Sequence, residues 1–219
     1  MKIDKDIMQD YMIFNKQNKI IIAKQYDSTK IANNTEIINC DRKLLEHLDM
    51  GKWLNDEDKN DKLIIGLDDV SLEEIFEKMK SQTTFVKAGG GIVENEFGEL
   101  LFMYRNGHFD LPKGHWEEGE TIIQTAKREV LEECGMKNLQ VGEFLACSLH
   151  SYTMHRRREL KQTHWYKMFC SKEETLKPQT EEGITFLRWI NPMQVNDVLK
   201  QSYPNIQHLF SNIDLIQEK

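Results

Sequence analysis

A short stretch of the chain places four of its glutamates, one arginine and two glycines at a fixed spacing. The residues are Gly114, Glu120, Arg128, Glu129, Glu132, Glu133 and Gly135. Because an α-helix turns by about 100° per residue, Glu129, Glu132 and Glu133 fall on one helical face. Carboxylates at this spacing repel one another, and clustered hard oxygen ligands suit Mg²⁺ or Mn²⁺, which also take oxygens from phosphates. The spacing therefore predicts a divalent-metal site on a helix.

An amphipathic helix is needed to present these acids, and the apolar residues of the same stretch have the spacing of one. They are Ile122, Ile123, Ala126, Val130 and Cys134. Glu118 and Glu120 come near the helix start, where negative charge is favoured, and Gly135 stands where helices often end. We expect the acids to face solvent and the apolar side chains to face a core. An ordinary surface helix with a solvated acidic face is the alternative.

The residues before this helix, from Phe109 to His115, contain Pro112 and Gly114, which predict a loop. Exposed backbone amides and the Lys113 ammonium could there meet phosphate oxygens. His115 and Trp116 are equally consistent with loop packing and with ligand contact.

The stretch from Gly114 to Met136 resembles the Nudix box of the Nudix hydrolase family at every defining position, and the LPKGH sequence before it is also similar. The resemblance covers roughly residues 84 to 200 and implies an α/β fold, an α/β/α sandwich with a mixed sheet. It further implies metal-dependent hydrolysis of a diphosphate linkage in a nucleoside-diphosphate-linked substrate, with Mg²⁺ or Mn²⁺ as cofactor.

The same resemblance implies a role for each residue of the box. Glu132 and Glu133 would hold the metal together with Gly114, and Glu129 would be a ligand or the general base. Glu120 would support the cluster and Arg128 would orient a carboxylate. In several Nudix enzymes the base lies on a loop outside the box, and Glu181 and Glu182 are candidates for it, unless they only decorate the loop.

Substrate-binding residues are predicted after the box. Arg156, Arg157 and Arg158 form a basic run between two predicted strands that could bind a polyphosphate, although such runs are usually just solvated. ADP-ribose hydrolases of the family often carry a proline where this chain has Ser151, and dinucleoside polyphosphate hydrolases often carry a tyrosine near Tyr152. This favours diadenosine polyphosphates or a related compound such as a diphosphoinositol polyphosphate. ADP-ribose, an oxidised nucleoside triphosphate and a non-catalytic nucleotide sensor are the alternatives.

The composition narrows the class of protein. The 219 residues are 39% hydrophobic and 30% charged, as in globular proteins. A net charge of −7 argues against broad nucleic-acid binding, so the expected partner is a small nucleotide-type molecule, and a homodimer is left open. No apolar run resembles a membrane span or signal peptide, so we expect a cytoplasmic protein without membrane contact. The four cysteines, widely spaced and without CxxC pairing, are expected to be reduced core thiols.

Two regions are predicted along the chain, with a boundary at the polar residues 81–84. Residues 1–82 are expected to form a small N-terminal βα appendage that serves assembly or covers a substrate site; it contains a hairpin at 11–23, strands at 35–39 and 63–66, and helices at 41–50 and from Ser71. Residues 83–219 are expected to form the Nudix domain. Its strands are predicted at 85–93, 100–104, 141–151, 163–170 and 184–190, followed by helices at 193–201 and 205–216.

Overall fold

The computed structural model describes residues 10–16, 18–27, 29, 31–49, 51, 54, 59–67, 69–154 and 157–213. The chain divides into two compact units. The first comprises Met1–Phe85 and Leu149–Leu160, and the second comprises Val86–Ser148 and Lys161–Lys219. The first unit ends close to the predicted boundary at residue 82, but it also includes the later segment Leu149–Leu160.

The first unit is built on a hairpin of β1 (Tyr11–Asn15) and β2 (Asn18–Ala23), as predicted. β3 (Glu36–Cys40) and β4 (Lys62–Gly66) continue the sheet in the order β1-β2-β4-β3, with β4 parallel to both neighbours. On its other side β1 pairs in parallel with residues 149–151 of β9 (Gln140–Met154). The sheet of this unit therefore contains both parallel and antiparallel strand pairs. Leu149 belongs to it as the pairing partner of Ile13.

Helices among the described residues also pack with this sheet. The first, α1 (Arg42–His47), is shorter than predicted. The second, α2 (Leu72–Ser81), begins with the predicted capping box, in which the Ser71 hydroxyl accepts from the Glu74 amide and the Glu74 carboxylate accepts from the Ser71 amide. Their apolar faces pack into one core with the strands. Its fully buried members include Ile13, Ile20, Ile22, Ile64, Ile75, Met79, Leu149 and Leu160.

The second unit contains β6 (Leu100–Arg105), β11 (Ile184–Ile190), most of β5 (Thr84–Glu94) and the parts of β9 and β10 (Arg157–Phe169) outside Leu149–Leu160. The order of these strands is β11-β6-β5-β10-β9. Two short strands flank this path, since β7 (His108–Asp110) pairs with β6 and β8 (Lys113–His115) pairs with β5. Its helices are α3 (Ile122–Cys134), α4 (Val195–Leu199) and α5 (Pro204–Ser211). A 3-10 turn, Pro192–Gln194, replaces the start of the helix predicted at 193–201, and residues 214–216 lie outside the described residues.

Helices cover both faces of this second sheet. Val93 and Leu101 pack with Ala126 and Val130 of α3, whereas the neighbouring residues on the same strands pack with α4 and α5. Successive side chains of a strand point to opposite faces, so this alternation places α3 on one face and the C-terminal helices on the other. The α/β/α sandwich expected from the resemblance is confirmed.

The three glycines of β5, Gly89, Gly90 and Gly91, allow very close packing. A Cβ atom on Gly89 would lie 2.5 Å from the Ala126 nitrogen of α3, and one on Gly90 would lie 2.7 Å from the Lys113 Cβ. Strand β8 can therefore pair with β5 directly beside the helix. The expectation that residues 113–115 form a loop was wrong, because the glycines of β5 leave room for a strand there.

Two smaller findings complete the fold. All four cysteines are free thiols, as predicted, and Cys40, Cys134 and Cys170 are buried. In the described part of the chain, the helices are too short and too polar to cross a membrane.

Candidate active site

Helix α3 begins and ends as its sequence predicts. Thr121 caps the start, because its hydroxyl accepts from the Gln124 amide while the Gln124 side chain accepts from the Thr121 amide. Gly135 ends the helix with a φ of 63°, a left-handed conformation that glycine adopts without strain. Glu118 and Glu120 thus precede the helix on the side of its positive end.

Arg128 is the centre of the acidic cluster. Its Nε and Nη2 atoms donate to the two carboxylate oxygens of Glu120 at 2.7 and 3.0 Å, a bidentate pair. Its Nη1 atom donates to Glu129 at 2.7 Å and to Glu132, one helical turn away, at 3.1 Å. The Arg128 guanidinium also lowers the pKa of Glu120 to about 2. Glu129 and Glu132 therefore bring oxygens to one point.

The three acids of the helical face have different environments. The side chain of Glu132 is 53% exposed and that of Glu129 is 15% exposed. Glu133 was expected to face solvent, and this was wrong: its side chain is 4% exposed, and it accepts from the Lys113 amide at 2.7 Å and from Arg105 at 3.4 Å. Burial raises the pKa of Glu133 to about 7 and also raises the pKa of Glu129.

On the apolar side of α3, Ala126, Val130 and Cys134 are fully buried as predicted. Ile123 was also expected to face the core, but its side chain is exposed, so this part of the prediction was wrong. Ile122 packs against the core instead, because the first turn of the helix requires only one of the two neighbouring isoleucines there.

Gly114 leaves the space that the Glu129 carboxylate occupies. An ideal Cβ built on Gly114 would lie 1.9 Å from the Glu129 Oε2 atom, so the carboxylate can keep this position only beside a glycine. The backbone of Gly114 and the carboxylate are therefore in direct contact, and glycine is required at this position by the acid on α3.

Lys113 makes contacts within its own segment. Its ammonium pairs with Asp110 and donates to the Leu111 carbonyl at 3.2 Å, and its side chain is 9% exposed. Phosphate binding by Lys113 therefore stays a prediction. The His115 carbonyl accepts from Arg128, and the Trp116 indole donates to the Glu120 carbonyl at 2.7 Å. The indole contact favours the packing interpretation for Trp116, whereas the His115 contact involves only its backbone.

The loop before β11 brings Glu182 to the cluster. Glu182 lies in a 3-10 turn, Thr180–Glu182, and its Oε2 atom is 3.6 Å from the Nη2 atom of Arg105. Arg105 is the residue that also pairs with Glu133. Glu181 instead accepts from the Thr180 hydroxyl. Arg105 was not singled out by the sequence analysis, although the Asn106-Gly107 pair that follows it predicts a tight turn at the end of a strand.

The other predicted substrate-binding residues lie in the first unit. The Tyr152 ring stacks on the His150 ring, with centroids 5.2 Å apart. The pKa of Tyr152 is raised, mainly by burial and further by the hydrogen bond of its hydroxyl to Glu159. Arg158 donates to the Asn15 side chain at 3.4 Å, and Arg157 is exposed. Arg156 lies outside the described residues.

The second unit is thus an α/β/α sandwich with the acid-bearing helix α3 on one face. A family profile described as the NUDIX domain matches residues 84–212. The chain therefore belongs to the Nudix family, whose members generally use divalent metal ions and act on small nucleotide substrates.

Individual relatives match over shorter stretches. The chain is 44% identical over 48 residues to Nudix hydrolase 13, mitochondrial, of Arabidopsis thaliana, which is 21% of this chain and 23% of the relative. It is 38% identical over 66 residues to Nudix hydrolase 12, mitochondrial, of the same plant, which is 29% of this chain and 32% of the relative. The alignments thus span about a quarter to a third of these curated relatives.

Solved structures with a similar fold cover more of the chain at lower identity. A MutT protein from Methanosarcina mazei Go1 is 15% identical with a TM-score of 0.46, over 59% of this chain and 93% of that one. A C. elegans Ap4A hydrolase is 20% identical with a TM-score of 0.43, over 59% of this chain and 96% of that one.

The acidic cluster has a suitable donor set for a divalent ion, although among the described residues no three His, Cys, Asp or Glu side chains stand in a ligating arrangement. Glu129 and Glu132 converge on a single nitrogen of Arg128, and the Glu129 carboxylate touches the Gly114 backbone. Carboxylate and carbonyl oxygens are the ligands that Mg²⁺ and Mn²⁺ prefer. The residues therefore fit such an ion.

Proposed function

We propose that the protein hydrolyses a diphosphate linkage in a nucleoside-diphosphate-linked substrate with the help of Mg²⁺ or Mn²⁺. The observation that supports this most directly is the convergence of Glu129 and Glu132 on Arg128 beside the backbone of Gly114. A plain surface helix would not need a glycine on a neighbouring strand to make room for one of its acids.

Glu129, Glu132 and Glu133, with Gly114, would hold the ion. A bound divalent ion supplies an activated water and neutralises charge on the phosphoryl group. Arg128 holds Glu120 with both branches of its guanidinium and places Glu129 and Glu132 side by side. Glu120 therefore acts by fixing Arg128. Glu133 would contribute from a buried position, where the Lys113 amide already holds one of its oxygens.

The general base is Glu129 or Glu182 in this proposal. Glu129 is the acid in contact with Gly114, whereas Glu182 approaches from the loop before β11 and is 54% exposed. Glu129→Gln and Glu182→Gln should both be assayed at saturating metal. The variant with the larger loss of kcat at unchanged Mg²⁺ affinity identifies the base, because a lost ligand would weaken metal binding as well.

We propose a diadenosine polyphosphate or a related polyphosphorylated compound as the substrate. Tyr152 supports this by its position after the box, and the basic run supports it by its charge. ADP-ribose and oxidised nucleoside triphosphates are the alternatives. We also propose a cytoplasmic location from the composition, a homodimer, and a role in assembly for the first unit.

The experiment that tests the function is a substrate panel. Ap4A, ADP-ribose, 8-oxo-dGTP, the dNTPs and an inositol pyrophosphate should be incubated with the purified protein, with and without Mg²⁺, and the products identified by mass. We expect metal-dependent cleavage of a phosphoanhydride bond in at least one of them. Tight binding of a nucleotide without products would instead identify a sensor and overturn the proposal.

The basic run has its own test. Arg157→Ala should raise KM for a polyphosphate substrate and weaken its salt dependence, because one phosphate contact is lost. The combined Arg156→Ala and Arg157→Ala variant should show a larger effect. If neither KM nor the salt dependence changes, the basic run does not bind the substrate.

A further inference from the structure

Arg105 joins two carboxylates that come from different elements of the second unit. Its Nη1 atom is 3.4 Å from Glu133 on α3, and its Nη2 atom is 3.6 Å from Glu182 on the loop before β11. The Arg105 side chain is 22% exposed and lies between a buried acid and a half-exposed one. Arg105 lies outside the Nudix box and outside the LPKGH segment that precedes the box.

The backbone places Arg105 between these acids. Arg105 is the last residue of β6 and pairs with Ile184, the first residue of β11, so Glu182 lies two residues before its strand partner. The chain then turns through Asn106 and Gly107, both with positive φ. On the other side, the Lys177 and Gln179 amides donate to the Cys134 and Glu133 carbonyls at 2.8 and 3.1 Å, which ties the loop to the end of α3.

The two acids need the arginine for different reasons. Glu133 is buried, and a buried carboxylate requires a positive partner or hydrogen bonds to remain charged. Glu182 is largely exposed, so without a partner its side chain would rotate freely in water. A guanidinium offers two branches in a fixed plane and can hold both acids at once, whereas an ammonium is a single point charge.

We propose that Arg105 is a positioning residue that holds Glu182 towards the acidic cluster and fixes Glu133 in the box helix. The proposal rests on the proposed function in so far as Glu182 takes part in catalysis. It assigns Arg105 no contact with substrate.

The first test compares Arg105→Ala and Arg105→Lys with the wild type. We expect kcat of Arg105→Ala to fall on the order of 10- to 100-fold, because a misplaced group loses its alignment, while KM stays within about twofold. Arg105→Lys should recover part of the loss, since the charge returns without the fork. Glu182→Gln should lower kcat by a similar factor to Arg105→Ala. The variant that combines both substitutions should lose no more kcat than the more impaired of the two single variants.

The second test needs no turnover. Mn²⁺ binding to the substrate-free protein, followed by the electron paramagnetic resonance signal of free Mn²⁺, should tighten by roughly two- to fivefold in Arg105→Ala, because a cation that competes for the acids is gone while the Lys113 amide still holds Glu133. The control is Lys167→Ala, which removes a cation of similar exposure that pairs with Glu94 at 3.0 Å elsewhere in the unit. This control should leave kcat and Mn²⁺ affinity unchanged.

The outcomes of these tests separate the positioning role of Arg105 from the proposed hydrolase function. Wild-type kcat in Arg105→Ala, or additive losses in the double variant, would overturn the positioning role. A simultaneous loss of kcat and Mn²⁺ affinity would also overturn it, because that pattern shows a general structural role. If no substrate of the panel is cleaved, the proposed function fails and the Mn²⁺ measurement still decides on Arg105. A wild-type protein that binds no Mn²⁺ would overturn both.

Discussion

Adjacent glutamates of one motif have opposite environments in this protein. Glu132 is half-exposed and touches Arg128, whereas Glu133 is buried against the Lys113 amide and Arg105. Desolvation penalises the charged form of Glu133, and this is why its pKa is raised to about 7. The two residues should therefore respond differently to the same substitution.

Glu133→Gln is expected to stabilise the metal-free fold at pH 8 on the order of 2 kcal/mol, because an amide carries no buried charge. Because the pKa of Glu133 is raised from 4.5 to about 7, its favourable contribution to the free energy of unfolding is complete below about pH 4.5. This contribution is lost as the pH rises through about 7. The difference between variant and wild type should thus vanish near pH 4. Urea unfolding in EDTA across this pH range measures it. If Glu133→Gln and the wild type are equally stable at all pH values, Glu133 is not a buried carboxyl with a raised pKa.

Glu132→Gln is expected to leave the unfolding midpoint within about 0.5 kcal/mol of the wild type, as for most exposed substitutions. Its turnover should fall by orders of magnitude, because one of the converging oxygens is lost. Steady-state assays with saturating Mg²⁺ measure the loss, and Glu118→Gln, outside the cluster, is the control. Wild-type rates in Glu132→Gln combined with Glu133→Gln would end the metal-site assignment.

Gly114→Ala tests the contact with Glu129. A methyl group at this position would collide with the Glu129 carboxylate, so the acid must move away. We expect Mn²⁺ affinity and kcat to fall by at least about tenfold while the protein stays folded, since the carboxylate can swing towards solvent. Isothermal titration with Mn²⁺ measures the affinity. Unchanged affinity would show that Glu129 is not a ligand.

At the scale of elements, the end of α3 and the loop after β10 depend on one glycine. Gly135 has a positive φ, and a Cβ there would also lie 2.7 Å from the Lys177 Cβ and carbonyl oxygen. The same Lys177 backbone donates to the Cys134 carbonyl. The helix end and the loop that carries Glu182 are thus packed together through Gly135.

Gly135→Ala should therefore destabilise the protein by more than the roughly 1–2 kcal/mol that a left-handed alanine costs. The control is Gly107→Ala, which has a positive φ of 85° but no atom within 4 Å of an added Cβ. Chemical unfolding of both variants separates strain from crowding. If the two losses are equal, the contact with Lys177 carries no energy.

Elements with local signals were predicted well from the sequence. The capping box of α2, the hairpin of β1 and β2 and the stop of α3 at Gly135 all depend on residues close together in the chain. Strand β8 could not be predicted, because its partner is the glycine stretch of β5 more than twenty residues earlier. Pro112 and Gly114 predict a loop only when no such partner is known.

At the scale of the molecule, residues 149–160 belong to the first unit although the sequences on both sides belong to the second. Leu149 and Leu160 are fully buried there, in the core that contains Ile13 and Ile20. A division of the chain near residue 82 would leave both leucines without that core.

A fragment of residues 84–219 should consequently unfold at a lower temperature than the full chain and be less soluble, because it exposes these leucines. Replacing both by serine should improve the solubility of the fragment. In the full chain the same replacement should cost several kcal/mol, as loss of buried leucines does. Scanning calorimetry and sedimentation of the four proteins test this. A fragment as stable as the full chain would show that the first unit does not support it.

The sequence by itself determined the helix, its caps, the order of its acids and the family, because each depends on spacing along one stretch of chain. Only the tertiary structure decided that Glu133 is buried, that Gly114 makes room for Glu129 and that Arg105 connects the box to Glu182. These facts depend on which strands lie beside α3. Burial and ion pairing between residues far apart in sequence arise only when the chain is folded, so no local pattern of residues carries them.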